Sequence, residues 1–453
     1  MTSLLIRGCE VVATMDDTGT EVAAGSILVR DGVIEWVGSG EPPSAADEVV
    51  DASGCVAVPG LVNTHHHLYQ VLTRARVQAD GLFQWLQELY PVWTGIDEEW
   101  TRTAASVGLA ELALSGCSTS TDHHYVFPEG AGDLLAAEID SAREVGVRFH
   151  PCRGSMDLGR SDGGLPPDSL IQDRDTILQQ TEDAVTMHHD AAPGSMLRIA
   201  VAPCSPFSVT PELMKESVAL ARRLGLRLHT HIAEALDEDD FCLEQFGVRP
   251  IQLLEDLEFL GADVWLAHGV HLSDDDVARL GETGTGVAHC PSSNLRLGSG
   301  IARVRALLDA GVPVGLGVDG SASNDSNDLL AEVRQAMLVA RAGMDPTALS
   351  AREALRIATR GGARCLGREE EIGSLERGKR ADVALFDVTG LAFAGADGDP
   401  VAALAFCAPQ RVRDLFVEGR RVVADGRLTG VDEERLAVDG HRMARRIAER
   451  VNA

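Results

Sequence analysis

Between Pro59 and Leu366 the chain alternates eight short apolar runs with amphipathic helical segments, an order that points to a closed (β/α)8 barrel with a parallel sheet. The runs end near Thr64, Asp122, Arg153, Cys204, His231, His268, His289 and Asp319. Helices are expected over 98–114, 133–145, 173–188, 211–224, 274–280, 301–308 and 329–340. At 453 residues the chain is too long for one ordinary compact domain, but it suits one barrel plus a small domain.

The two flanks have a different texture. Short β-like runs at 4–6, 26–30, 33–37 and 49–50, broken by Gly and Asp, precede the barrel. Similar runs within 373–387 and at 412–417 and 420–423 follow it, and a helix is expected over 433–451. The expected fold is therefore α/β: a TIM barrel over 59–366 with a small β-sandwich domain built from 1–58 and 367–453, the terminal helix included.

Barrels of this kind build their chemistry from the C-terminal ends of the strands, and here nearly every run ends in His, Asp, Arg or Cys. The first run passes from Val58-Pro-Gly-Leu-Val into Asn63, Thr64 and three histidines. Side chains two apart on an extended segment project to the same side, so His65 and His67 can meet one metal while His66 points elsewhere. His231 closes the fifth run, with Glu234 three residues later. Asp319 closes the almost purely apolar eighth. His65, His67, His231 and Asp319 form an N3O donor set for one divalent ion, Zn2+ in the first place and Fe2+ as the alternative, with a position open for water. A water activated there still needs its protons moved. Glu234 suits a shuttle to a substrate nitrogen, and His268, at the end of the sixth run, can hydrogen-bond the water or a developing oxyanion.

Other reactive residues have plainer readings. His123, His124, His229 and His289 are expected to support the barrel wall or the metal ligands, and His188 and His189 to be solvated. Trp85, Tyr90 and Trp93, at helical spacing, read first as packing between helix and barrel and second as pocket wall. Cys204 either packs or touches substrate. The Gly- and Pro-rich stretch 154–168 reads as a cover over the barrel mouth or as a solvated loop.

A net charge of −29 excludes the basic face that nucleic acid or an anionic membrane requires, so the expected partner is a small molecule. With no basic leader before a long apolar run and no stretch of membrane-spanning length, a cytoplasmic protein is expected. Nine scattered cysteines without a Cys-x-x-Cys pair read as reduced thiols.

These motifs resemble the amidohydrolase superfamily, in its branch of nucleobase and triazine deaminases. The resemblance rests on Pro59-Gly-Leu-Val-Asn-Thr-His-His-His67, His231-Ile-Ala-Glu234, His268-Gly-Val-His271, His289-Cys-Pro-Ser-Ser-Asn294, Val318-Asp-Gly-Ser321 and Gly378-Lys-Arg-Ala-Asp382, which span nearly the whole chain. It implies a metal on His65, His67, His231 and Asp319, Glu234 as proton shuttle, and His268 and Asp319 orienting and deprotonating the water. Binuclear members carry a bridging lysine at the end of the fourth strand. Here that strand, Leu197 to Ser205, has none, and the barrel's only lysine is Lys215 on an expected helix, so one metal is expected.

Asn63-Thr-His-His-His-Leu-Tyr-Gln70, Thr121-Asp-His-His-Tyr125, Cys152-Arg-Gly-Ser-Met156, Gly163-Gly-Leu-Pro-Pro-Asp-Ser169 and Ala202-Pro-Cys-Ser-Pro-Phe207 are similar to the 8-oxoguanine deaminases. That similarity implies hydrolytic deamination of 8-oxoguanine to urate, with isoxanthopterin, guanine or a triazine as alternative substrates, by a homo-oligomeric enzyme. Gln70 and Arg153 match positions at which related guanine deaminases hold the purine, and both side chains can hydrogen-bond a lactam edge.

Overall fold

A computed structural model describes residues 3–451. The strands Leu61–Asn63, Cys117–His124, Arg148–Ser155, Ala200–Pro203, Leu228–Ile232, Val264–His268, Gly286–His289 and Val314–Leu316 pair in parallel, and the last pairs with the first to close a barrel. All eight runs read from the sequence are present. Helices Glu98–Leu114, Pro211–Leu224 and Leu329–Ala340 have the expected limits. Their ends follow local chemistry: Asp97 and Asp328 accept backbone N–H groups of the first turn, and Gly225 closes the second helix in a left-handed conformation. The helix expected from 301 starts only at Val304.

The small β unit is, among the described residues, a nine-stranded sheet with strands from both ends of the chain. Cys55–Pro59 pairs antiparallel with Val383–Asp387 and so joins the two flanks. Ile6, Val12, Ile27, Val29, Leu385 and Phe416 pack into a core of their own. Gly60 then passes the chain directly into the first barrel strand, so the sheet anchors the segment that carries the first two histidines.

The motif ending at Asp382 has a structural role. Asp382 pairs with Arg148, a fully buried guanidinium at the start of the third barrel strand that also donates to the carbonyls of Gly194 and Ser195 at 2.8 Å. Arg148 also pairs with Glu418 at 3.2 Å, so two carboxylates of the sheet hold this buried charge and tie the sheet to the barrel. Eight of the nine cysteines are buried, and all are unpaired. No described helix is long and apolar enough to cross a membrane.

Candidate metal centre and active site

Three imidazoles meet at the C-terminal end of the barrel with their protons already assigned by the surrounding backbone. His67 Nδ1 donates to the His123 carbonyl at 2.7 Å, and His231 Nδ1 to the Cys204 carbonyl at 2.7 Å. Each Nε2 is therefore a bare lone pair. His229 Nδ1 donates to the Trp265 carbonyl at 2.8 Å, which leaves its Nε2 to accept from His65 Nδ1, also at 2.8 Å. The His65 Nε2 lone pair follows. It is buried and has no hydrogen-bond partner.

The consequence is electrostatic. His67 Nε2 and His231 Nε2 lie 3.0 Å apart with no proton between them, and Asp319 Oδ1 lies 3.3 Å from His67 Nε2 and 3.4 Å from His65 Nε2. Burial, and after it the neighbouring His65, holds His67 and His231 well below the usual histidine range, so both stay neutral. Lone pairs crowded onto a carboxylate oxygen repel unless a cation sits among them. The three nitrogens and one oxygen suit a single divalent ion of the zinc or ferrous type.

Asp319 is braced from behind. Its Oδ2 accepts from the Ser293 hydroxyl at 2.5 Å and from the Ser323 hydroxyl at 3.1 Å, and Oδ1 accepts from Gly320 N–H at 2.7 Å. Burial works against its charge, and the donated hydrogen bonds of Ser293, Ser323 and Gly320 N–H favour the ionised form. Glu234 is the opposite case: burial, then the charges of Asp319 and Glu238, raise it well above the usual range and keep it protonated. Its Oε2 lies 3.4 Å from His268 Nε2. His268 Nδ1 faces Asn294 Oδ1 at 3.0 Å, so this nitrogen carries the proton and Nε2 is free to accept; burial holds the ring down to about 4.

The backbone is strained where these side chains leave the strands. Ala233, His268 and Asp319 all have positive φ, at 51°, 73° and 61°. Glu238 holds one of these bends by accepting the N–H groups of Ala233 and Glu234 at 2.9 and 3.0 Å. Asp122 accepts the Leu68 N–H at 2.5 Å and so fixes the turn that follows His67.

A cavity opens over this centre, with His67, His231, Glu234, His268 and Asp319 on its floor. Trp85, Tyr90, Tyr125 and Phe207 form much of its wall. Gln70 reaches into it with Oε1 buried and unpartnered, and its Nε2 makes only a 3.4 Å contact with the Tyr69 hydroxyl. Gly320 leaves room for that amide, since a Cβ there would lie 1.9 Å from Gln70 Oε1.

The structure thus brings together His65, His67, His231, Asp319, Glu234, His268 and Gln70. Arg153, expected to touch substrate, is not among the cavity residues. Its guanidinium donates to Gln172 and Gln180 at 2.8 and 2.7 Å and lies 4.1 Å over the Phe127 ring. Strand alternation explains the difference: Arg153 has the parity of Phe149, which packs among the helices, while Cys152 faces the interior. Of the aromatic trio, Trp85 and Tyr90 line the cavity, whereas Trp93 packs behind them against Tyr69 and Trp85. Ser293, Asn294, Ser323 and Glu238 carried no assigned role in the sequence. Their signals were the His289–Asn294 motif, the position four residues past Asp319, and the position four residues past Glu234.

The proton chain through His229 yields a first test. His229→Phe keeps the stack on Trp265, where the ring centroids are 4.4 Å apart, but removes the acceptor that sets the His65 tautomer. Metal affinity should fall about 10–100-fold, measured by competition with a calibrated chelator; unchanged affinity would mean that His65 needs no such partner.

Comparison with known proteins agrees with this arrangement. A model of the amidohydrolase family matches residues 56–422. The chain is 48% identical over 426 residues to the 8-oxoguanine deaminase of Pseudomonas aeruginosa, covering 93% of this chain and 94% of that one. It is 38% identical to the hydroxydechloroatrazine ethylaminohydrolase of Pseudomonas sp. strain ADP, over 99% and 96% of the two chains. Among solved structures, the atrazine chlorohydrolase of Arthrobacter aurescens TC1 in complex with zinc superposes with a TM-score of 0.93 at 34% identity, covering 97% of this chain and all of that one.

Proposed function

Because the chain belongs to the amidohydrolase family and is a hydrolytic deaminase of that family, we propose that its substrate is 8-oxoguanine, which it converts to urate and ammonia using one Zn2+. The observation that carries the metal-dependent chemistry is the convergence of three bare Nε2 atoms on Asp319 Oδ1 beneath an aromatic-walled cavity. A divalent ion held by His65, His67, His231 and Asp319 would supply Lewis acidity and lower the pKa of a water toward the neutral range.

The chain's own groups handle the protons. Asp319, kept ionised, accepts a proton from the attacking water. The bare Nε2 of His268 accepts a second hydrogen bond and so aims the oxygen. Water oxygen adds to the amidine carbon bearing the exocyclic amine. Glu234, buried beside both groups, delivers its proton to the ring nitrogen, takes the proton of the new C–OH group and passes it to the departing amine; the proton held by Asp319 then returns Glu234 to its acid form. The C–N bond breaks with its electron pair on nitrogen, and the carbon keeps the oxygen as a lactam carbonyl. One proton of the water ends on the ring and the other in ammonia.

Gln70 supports the purine reading. Its unpartnered carbonyl and nearly free amide can pair with the N–H and C=O of a lactam edge while the aromatic wall excludes water from the ring faces. The proposed contact set does not include Arg153.

The test is ammonia release by zinc-loaded protein from 8-oxoguanine, guanine, isoxanthopterin and a chlorotriazine in parallel, repeated with Gln70→Leu. Preferred turnover of 8-oxoguanine is expected, with kcat/KM lowered about tenfold or more by the loss of two buried hydrogen bonds. Preferred turnover of another ring would overturn the substrate and leave the hydrolytic centre standing.

A further inference from the structure

The opposite end of the barrel holds a second built cavity, of about 480 Å³, remote from the metal centre. Its polar lining comes from strand starts and the loops beside them: His150, His189, Arg198, Arg222, Arg227 and Asp263. In a chain of net charge −29 this concentration of cations is unusual. Its only carboxylate, among the described lining residues, is Asp263, which is bound by Arg222 at 3.0 Å.

Several of the remaining groups keep a polar atom without a partner. Among the described residues the Arg227 side chain has no hydrogen bond or ion pair; its Nε is buried, its guanidinium lies 5.9 Å from the Trp265 ring centroid and beside Gly367, and Glu369 and Asp263 act on its charge from further off. Arg198 pairs with Glu371 through Nη2 at 2.6 Å, which leaves its buried Nε unpartnered. His189 Nδ1 accepts the Ile199 N–H at 3.0 Å, so its Nε2 carries the proton. His150 is 2% exposed and its buried Nδ1 has no partner. A scaffold built for stability alone would pair a half-buried guanidinium with a carboxylate, since each unsatisfied buried donor is costly. These groups leave places open for an acceptor from outside the chain.

We propose that this cavity binds a phosphate monoester, with the phosphoryl group on Arg227 and on N–H donors of His189, Arg198 and His150. The donors outnumber what the two oxygens of a carboxylate accept and match a tetrahedral oxyanion. Ile199, Leu226 and Leu366 give the cavity an apolar side for the organic substituent.

The zinc-loaded protein is titrated calorimetrically with inorganic phosphate, a purine nucleoside monophosphate and the same nucleoside without phosphate. Two variants run alongside. Arg227→Gln removes the unpaired cation. Ala191→Glu places a competing carboxylate at an exposed lining position without removing any native contact. Saturable binding of one monophosphate per chain is expected, tighter than inorganic phosphate, with no binding of the nucleoside at this end. Either variant should weaken it about tenfold or more, with kcat and KM for deamination unchanged. Equal affinity for phosphate and monophosphate would keep the site and make the free anion its ligand. Absence of saturable binding at millimolar ligand overturns the proposal, as does binding that survives both variants. Phosphate that competes with the deamination substrate and still binds both variants belongs to the metal end, and that too overturns it.

Discussion

Glu234→Gln is expected to lower kcat about a thousandfold while leaving the metal content and KM nearly unchanged. The two side chains have the same shape, and the backbone N–H of residue 234 still reaches Glu238, so the geometry of the bend survives. What disappears is a group that can both take and give a proton. General acid–base catalysis contributes roughly 10²–10⁴ in rate, and Glu234 is asked to serve two successive transfers. Ammonia release and metal analysis on the same preparation decide the matter. Full activity with metal in place would move the shuttle elsewhere, and Glu238, pushed up to about 7 by burial and lying behind Glu234, would be the next candidate.

The second large effect is expected at Asp319. Removal of the metal by chelation should abolish turnover, and added Zn2+ should restore it. In Asp319→Asn the added metal should restore less than about a thousandth of the parent rate. The amide must put its NH2 either toward the hydroxyls that now donate to Oδ2 or toward the imidazole lone pairs. Neither choice reproduces an ionised oxygen that is at once ligand and base. Retention of both metal and rate in this variant would mean that His268 alone deprotonates the water.

Most of this centre could be read in the sequence because its side chains sit at strand ends, where an abrupt change from apolar to polar residues marks the exit from the barrel. His65, His67, His231, Asp319 and Glu234 announce themselves in that way, and Gln70 does so by its spacing from His67. Arg153 shows the limit of the same rule. Being near a strand end is not enough; parity decides which side of the wall a residue faces, and Phe149 four residues earlier already marked the outer face. The tautomers were beyond reach for a different reason. The acceptors that set them are the carbonyls of His123, Cys204 and Trp265, and a main-chain oxygen has no letter in the sequence.

Those three carbonyls belong to the barrel wall, at strand residues His123 and Trp265 and at Cys204 just past its strand. The aromatic lining, in contrast, comes largely from segments outside the strands, with Trp85 and Tyr90 on the helix Leu82–Trp93 and Phe207 in the loop after the fourth strand. Ion seat and ring recognition are therefore inherited through different parts of the molecule. Exchanging the mouth segments is expected to leave the three carbonyls, and the imidazole tautomers they set, in place.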